Sequence, residues 1–327
     1  GAAQVVWSIT ALRQFDCFTH ETAPARSELR VMMRRTIPMI LGLGTLQINT
    51  LFDGLIASWP TVFGPTIFGF DYPLGEGAMG SLSWAQRLYQ FPLGVFGIAV
   101  ATAIYPLLAK QIHDASSFSA TVRRGLRLVV YVGLPASAGL IIVRDPLAAA
   151  VYQGGNFTSG DAAIVGSILL GYAPAVWAYS MILVLTKAFY AKNDSMTPVK
   201  VAMAVVMLNF VLNMILIWTP LRTAGLAWST SICAVIQVSF LMVLIRRHVA
   251  ITVDRSVLRS WISTSVLTVV MGCVVAGVMH MLWKSGGEWT HSIYTLAACV
   301  GSGVIVFIFG SVVVKMPELH WFMGRSK

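Results

Sequence analysis

Repeated apolar runs are what most limit the folds open to this chain. Eight stretches, at 36–59, 79–109, 126–143, 162–186, 199–218, 224–245, 260–283 and 293–314, each read as a membrane-crossing helix, which needs ~20 mostly apolar residues. Short polar breaks separate them. Hydrophobic residues make up 57% of the chain and charged ones 11%, against about 25% charged in a soluble domain. No water-soluble fold covers that much apolar surface. The class is therefore an all-α polytopic membrane protein with about eight transmembrane helices.

The formal net charge of +10 would point to nucleic acid in a soluble protein. Here the basic residues gather in short loops, and nucleic acid is excluded as a partner. Segments 13–35, 110–127, 187–200, 246–259 and the tail hold nineteen of the 23 Lys and Arg. The alternate segments 60–78, 144–161, 219–223 and 284–292 hold only Arg144, Arg222 and Lys284, and Arg87 lies inside a span. A wrong number of spans would scramble this alternation. The positive-inside rule then puts both ends of the chain in the cytoplasm.

The chain opens Gly1-Ala2-Ala3, and 1–14 reads as the end of a preceding span in a longer polypeptide. A basic cytoplasmic linker follows at 15–35. Residues 246–259 form a second linker, mixing Val249, Ile251, Val257 and Leu258 with arginines. It and 114–125, with Phe118 and Val122, are expected either to lie in the headgroup plane or to be ordinary polar connections. Segment 60–78 is rich in Gly, Pro and Phe and is expected to dip into the interface or cap that side. Pro38, Pro92 and Pro174 fall in spans and are expected to bend them.

Charged groups inside a span cost several kcal/mol unless a cavity or partner receives them. Arg87 sits in Ser-Trp-Ala-Gln-Arg-Leu-Tyr-Gln, where Ser83, Arg87 and Gln90 share a helical face. A guanidinium on a polar stripe suits bidentate contact with phosphate or carboxylate; the alternatives are a structural arginine paired with an acid or with carbonyls, or one that snorkels to the interface. Asp53 is the one acid deep in a span, four residues after Asn49. It can hold Na⁺, carry a proton or pair with Arg87. Asn209 and Asn213, again four apart, and Gly225 and Ser229 at the start of the next span add oxygens suited to a monovalent cation. The plainer alternative is interhelical hydrogen bonding.

Three of the four cysteines, Cys233, Cys273 and Cys299, lie in spans and read as small packing residues. The histidines form no relay. No nucleophile, metal-ligand or phosphate-loop motif is present, so no catalytic residue and no organic cofactor is assigned.

The stretch Ser83-Trp-Ala-Gln-Arg-Leu-Tyr-Gln-Phe-Pro-Leu-Gly94, running on to Pro106, resembles the eighth helix of the MurJ/MviN family. Gln47-Ile-Asn49 with Asp53 resembles its seventh. Tyr152-Gln-Gly-Gly-Asn-Phe-Thr158 is similar to its turn between helices nine and ten, and Ala188 to Lys200 to its loop between ten and eleven. The resemblance implies the C-terminal part of a fourteen-span transporter of the multidrug/oligosaccharidyl-lipid/polysaccharide exporter superfamily. It divides the chain into a six-helix lobe at 36–245 and, at 260–327, two extra helices and a tail that form a groove for a lipid tail. The N-terminal lobe is then a missing partner. The implied substrate is lipid II, the undecaprenyl-pyrophosphate-linked peptidoglycan precursor, moved across the bacterial cytoplasmic (inner) membrane by alternating access. Other implied partners are membrane lipids.

Carried over onto these residues, Arg87 faces the pyrophosphate, with Ser83 and Gln90 beside it. Asp53, Asn209, Asn213, Ser229 and Gly225 form a Na⁺ or H⁺ site. Gln86, Gln90 and Asn213 stand where some members have acids, so an arginine–acid pair on the eighth helix is not expected. Three rival readings are an exporter of drugs or another polysaccharide-lipid, a polyprenyl-sugar membrane enzyme, and a non-transporting scaffold.

Overall fold

A computed structural model describes residues 6–8, 10, 23–67, 69–249, 253–283 and 288–322. Helix α1 runs Ala23–Val62, and α2 Ala78–Pro92 continues through Leu93–Ile98 into α3, Ala99–Lys110. Then come α4 Ala115–Tyr152, α5 Ser159–Tyr172, α6 Ala175–Ala191, α7 Met196–Leu216 and α8 Thr223–Leu244. Last are α9 Arg255–Leu282, α10 Trp289–Val313 and the short α11, Pro317–Phe322. Two-residue strands, β1 Thr66–Ile67 and β2 Phe70–Asp71, pair antiparallel between α1 and α2.

Each of the eight expected spans falls on one helical unit. Among the described residues six units are long and apolar enough to cross a membrane, and a seventh if α5 and α6, bent by 43°, count as one. The expected first span lies within the 40-residue α1. Of the expected remnant at 1–14 only 6–8 and 10 are described, and they are helical. Of the expected linker at 15–35, residues 15–22 lie outside the described residues, and 23–35 are not a linker but the first turns of α1.

Two of the three prolines mark the breaks expected of them. Pro174 stands between α5 and α6. Pro92 ends α2, and the next turn widens into a π-type segment at Leu93–Ile98, the kind of local adjustment that re-satisfies backbone groups freed by proline. Pro38 lies inside α1.

Helix α4 is the centre of the bundle. On one side it packs on α5 and α6, on the other on α9 and α10. Close approach is bought with small residues: a Cβ on Gly171 of α5 would come within 2.7 Å of Ala227 on α8, and Ser231 donates to the Gly171 carbonyl. On α10 the buried positions are Ser292, Thr295, Cys299, Gly303, Phe307 and Ser311. They form a stripe at helical spacing, while Val304, Ile305, Ile308 and Phe309 point outward. Small and polar inside, large and apolar outside is the pattern of a lipid-facing helix.

Neither expected surface helix is separate. Residues 115–125 are the first turns of α4, begun by Asp114, whose carboxylate accepts from the Ser116 and Ser117 amides. Phe118 and Val122 are buried in the core. In the second linker Val249 and Val257 are also buried, and 250–252 lie outside the described residues. Phe118, Val122, Val249 and Val257 thus go into the protein, whereas Leu258 is 50% exposed. Segment 60–78 folds back on α1: Tyr72 donates to the Ile56 carbonyl at 2.8 Å and stacks on Trp59.

The end of the described chain is tied down. Glu318 of α11 is fully buried, 2.6 Å from Arg127 Nε on α4, and accepts from Ser260 of α9 at 2.6 Å. Arg124 and Arg127 both lie over the Trp321 ring.

Candidate functional site

Three helices converge on Asp53. It lies on α1, is 2% exposed, and faces α7 and α8. Asn213 Nδ2 donates to Asp53 Oδ1 at 2.6 Å and to Asn209 Oδ1 at 3.0 Å. Asn209 Nδ2 donates to Ser229 Oγ at 3.3 Å. Ser229 donates back to Asn213 Oδ1, with the Leu226 carbonyl 2.8 Å away as a second acceptor. On the other side, Asn49 Nδ2 reaches Asp53 Oδ2 at 3.3 Å. The 3.6-residue period explains this assembly: Asn49 and Asp53 share one face of α1, and Asn209 and Asn213 one face of α7.

Four of the five residues expected at an ion site thus come together: Asp53, Asn209, Asn213 and Ser229. Gly225 joins through no described hydrogen bond of its own to the cluster. Its place is explained by packing, since a Cβ there would come within 2.7 Å of the Leu216 carbonyl oxygen. Among the described residues no Lys, Arg or His lies within 4 Å of Asp53. The pairing of Asp53 with Arg87, one of the options the sequence leaves open, is therefore not formed. Neutral amides are what hold this carboxylate.

Arg87 lies elsewhere. It projects from α2 as an exposed side chain, with Gln90 exposed and Ser83 half-buried on the same face. Its guanidinium carbon is 5.8 Å from the Trp84 ring centroid, within cation–π range. No carboxylate among the described residues is within ion-pair distance of it. The structural-arginine alternative, which needs an acid or carbonyl partner, finds none described. Behind this face, Gln86 donates to Tyr172 Oη at 3.1 Å, and Tyr172 stacks on Tyr89 at 4.7 Å. Both tyrosines are buried. Sequence reasoning missed this pair; Tyr89 beside the polar stripe was the available signal. At the nearby end of the helix, Trp84, Tyr152 and Phe157 form an aromatic cluster, closed by the turn at Gly154 and Gly155.

A family model described as lipid II flippase MurJ matches residues 1–297. The chain belongs to the MurJ family. A probable lipid II flippase MurJ of Vibrio cholerae is 34% identical over 220 residues, covering 67% of this chain and 38% of that protein. The lipid II flippase MurJ of Burkholderia cenocepacia is 27% identical over 307 residues, covering 90% of this chain and 55% of that protein. The chain spans about half the length of the curated relatives it matches, or less. Among solved structures, a lipid II flippase MurJ in an inward closed conformation superposes with TM-score 0.68 at 22% identity, covering 91% of this chain and 56% of that one. An outward-facing multidrug transporter of the MATE family superposes at 0.56 with 15% identity, covering 88% of this chain and 66% of that one. These two likenesses establish the exporter-type fold. With its MurJ membership and its apolar helices, the chain is a multi-pass inner-membrane protein.

Proposed function

We propose that this chain is the C-terminal part of a lipid II flippase, a transporter that carries its substrate across the inner membrane by alternating access, with both ends of the chain cytoplasmic. The remaining length of the relatives supplies the facing lobe in this reading. The observation that carries it is Arg87, an exposed guanidinium on a polar stripe with no carboxylate within ion-pair distance among the described residues. Such a group is free for a pyrophosphate, and Ser83 and Gln90 add hydrogen-bonding groups on the same face.

The Asp53 cluster is the coupling site in this reading. Its carboxylate takes an H⁺ directly. For Na⁺, turning the Asn213 amide over exchanges its donor for its acceptor and directs a second oxygen towards the space beside Asp53. A cation that binds one transport state more tightly than the other shifts the equilibrium between them by that difference in affinity.

Arg87→Ala, made in the protein as the cell produces it, is expected to abolish rescue of flippase-depleted cells while membrane levels stay normal. Arg87→Lys retains part of the rescue, because it keeps the charge and loses the bidentate geometry. Normal growth with Arg87→Ala overturns the anion-binding role.

A further inference from the structure

Helix α4 carries an ion pair where its apolar run predicts a loop. Arg144 and Asp145 lie two turns before the helix ends at Tyr152. Arg144 Nη1 donates to the Ile141 carbonyl at 2.9 Å, and its Nε is 3.6 Å from Asp145 Oδ1, both side chains 33% exposed. Nη2 has no protein acceptor among the described residues. The Asp145 carboxylate is given room by Gly166 of α5, where a Cβ would come within 2.4 Å of Oδ1. Facing the pair are the last turns of α9, with Ala276, Met279 and His280, then Trp283. Together with Ile141 and Ile142 they line an open cavity of about 420 Å³, within the range of small-molecule sites, roughly 300–1,000 Å³. The cavity lies at the ends of α4 and α9 remote from their arginine-rich starts. Trp283 lines it and Trp289 donates to the nearby Ala150 carbonyl. Tryptophan is a residue of the membrane–water interface.

We propose that this cavity binds a phospholipid with a zwitterionic head, phosphate plus ammonium, whose chains lie along the apolar outer face of α9, where Val266, Val270 and Val274 are exposed. Among the described residues the lining carries one guanidinium, one imidazole and one carboxylate. A purely anionic head would meet Asp145 unfavourably. A zwitterion satisfies both signs: its phosphate takes the N–H groups of Arg144 and His280, and its ammonium takes Asp145. The site is separate from Arg87 and from the Asp53 cluster, and does not depend on the transport reading.

The test is native mass spectrometry of the delipidated full chain offered equal phosphatidylethanolamine and phosphatidylglycerol with matched acyl chains. Wild type is expected to retain phosphatidylethanolamine roughly tenfold better, the value of about one charge-assisted hydrogen bond. Arg144→Gln and Asp145→Asn each bring the two lipids close to parity. Met279→Trp fills the cavity, leaves the charges in place and removes the retained lipid. Equal retention of both lipids by wild type overturns the proposal, as does an unchanged preference in a folded Arg144→Gln or Met279→Trp protein.

Discussion

Asp53 and Glu318 are both almost wholly buried, at 2% and 0% exposure, yet they are held in opposite ways. Glu318 has a guanidinium at 2.6 Å and a serine hydroxyl on the same oxygen. Its charge is compensated, and it fastens α11 to α4 and α9. Among the described residues Asp53 has only amides, from Asn213 and Asn49. A buried carboxylate without a counter-ion is costly, so the Asp53 site gains stability from any cation or proton it acquires. Compensation makes a clamp; its absence leaves a carboxylate that a cation or proton would stabilise, as the proposed coupling role requires.

The comparison breaks most visibly at Arg127. Arg127→Met leaves Glu318 buried without its cation and should cost about 3–5 kcal/mol in thermal or denaturant unfolding. Replacing both partners, Arg127→Met with Glu318→Leu, should recover most of that loss. Full stability in Arg127→Met would mean that the clamp is idle. Next in size is the cation response of Asp53. Wild type should gain up to about 2.7 kcal/mol at a Na⁺ concentration 100 times the dissociation constant, or be stabilised by acid if the proton is the ligand. Asp53→Asn should be insensitive to both, and a wild type insensitive to both removes the cation site. Ser260→Ala takes one hydrogen bond from Glu318 and should cost about 1 kcal/mol, measured beside Arg127→Met.

The smallest effect is expected at Asp114, outside both sites. Hydrogen bonds from Ser117 and Ser116 hold its carboxyl down at about 2. A carboxyl lowered on folding stabilises the folded state above its ordinary value near 3.8 and loses that contribution as pH falls towards 2. Acid titration followed by hydrogen exchange in the first turn of α4 should show the loss, and Asp114→Ala should remove it.

Spans and polar clusters were legible because each rests on a short-range pattern. Runs of ~20 apolar residues name the helices, and four-residue spacing puts Asn49 with Asp53 and Asn209 with Asn213. That these pairs meet across α1, α7 and α8 needed only that polar groups in a membrane seek one another. What was not legible depends on where hydropathy misplaces a helix end. The apolar run of α4 stops at Val143, but the helix continues through Arg144 and Asp145 to Tyr152. They tolerate helical geometry because they pair with each other, and Gly166 makes space for one of them. Likewise Phe118 and Val122 look amphipathic from sequence, and only the packing partners reveal that they face protein. The Glu318–Arg127 contact joins residues 191 positions apart, and no local pattern announces it.

The π-type turn at Leu93–Ile98 changes how this span is to be scanned. An α-helical wheel advances about 100° per residue, from 3.6 residues per turn, and a widened turn shifts that phase. Faces assigned from Ser83, Arg87 and Gln90 cannot be projected onto Thr102 or Tyr105. A cysteine-accessibility or alanine scan laid out as one continuous wheel would group residues pointing in different directions. Two wheels are needed, one ending at Pro92 and one restarting at Ala99, with Gly97, whose Cβ would meet Ser180 Oγ at 2.9 Å, left untouched between them.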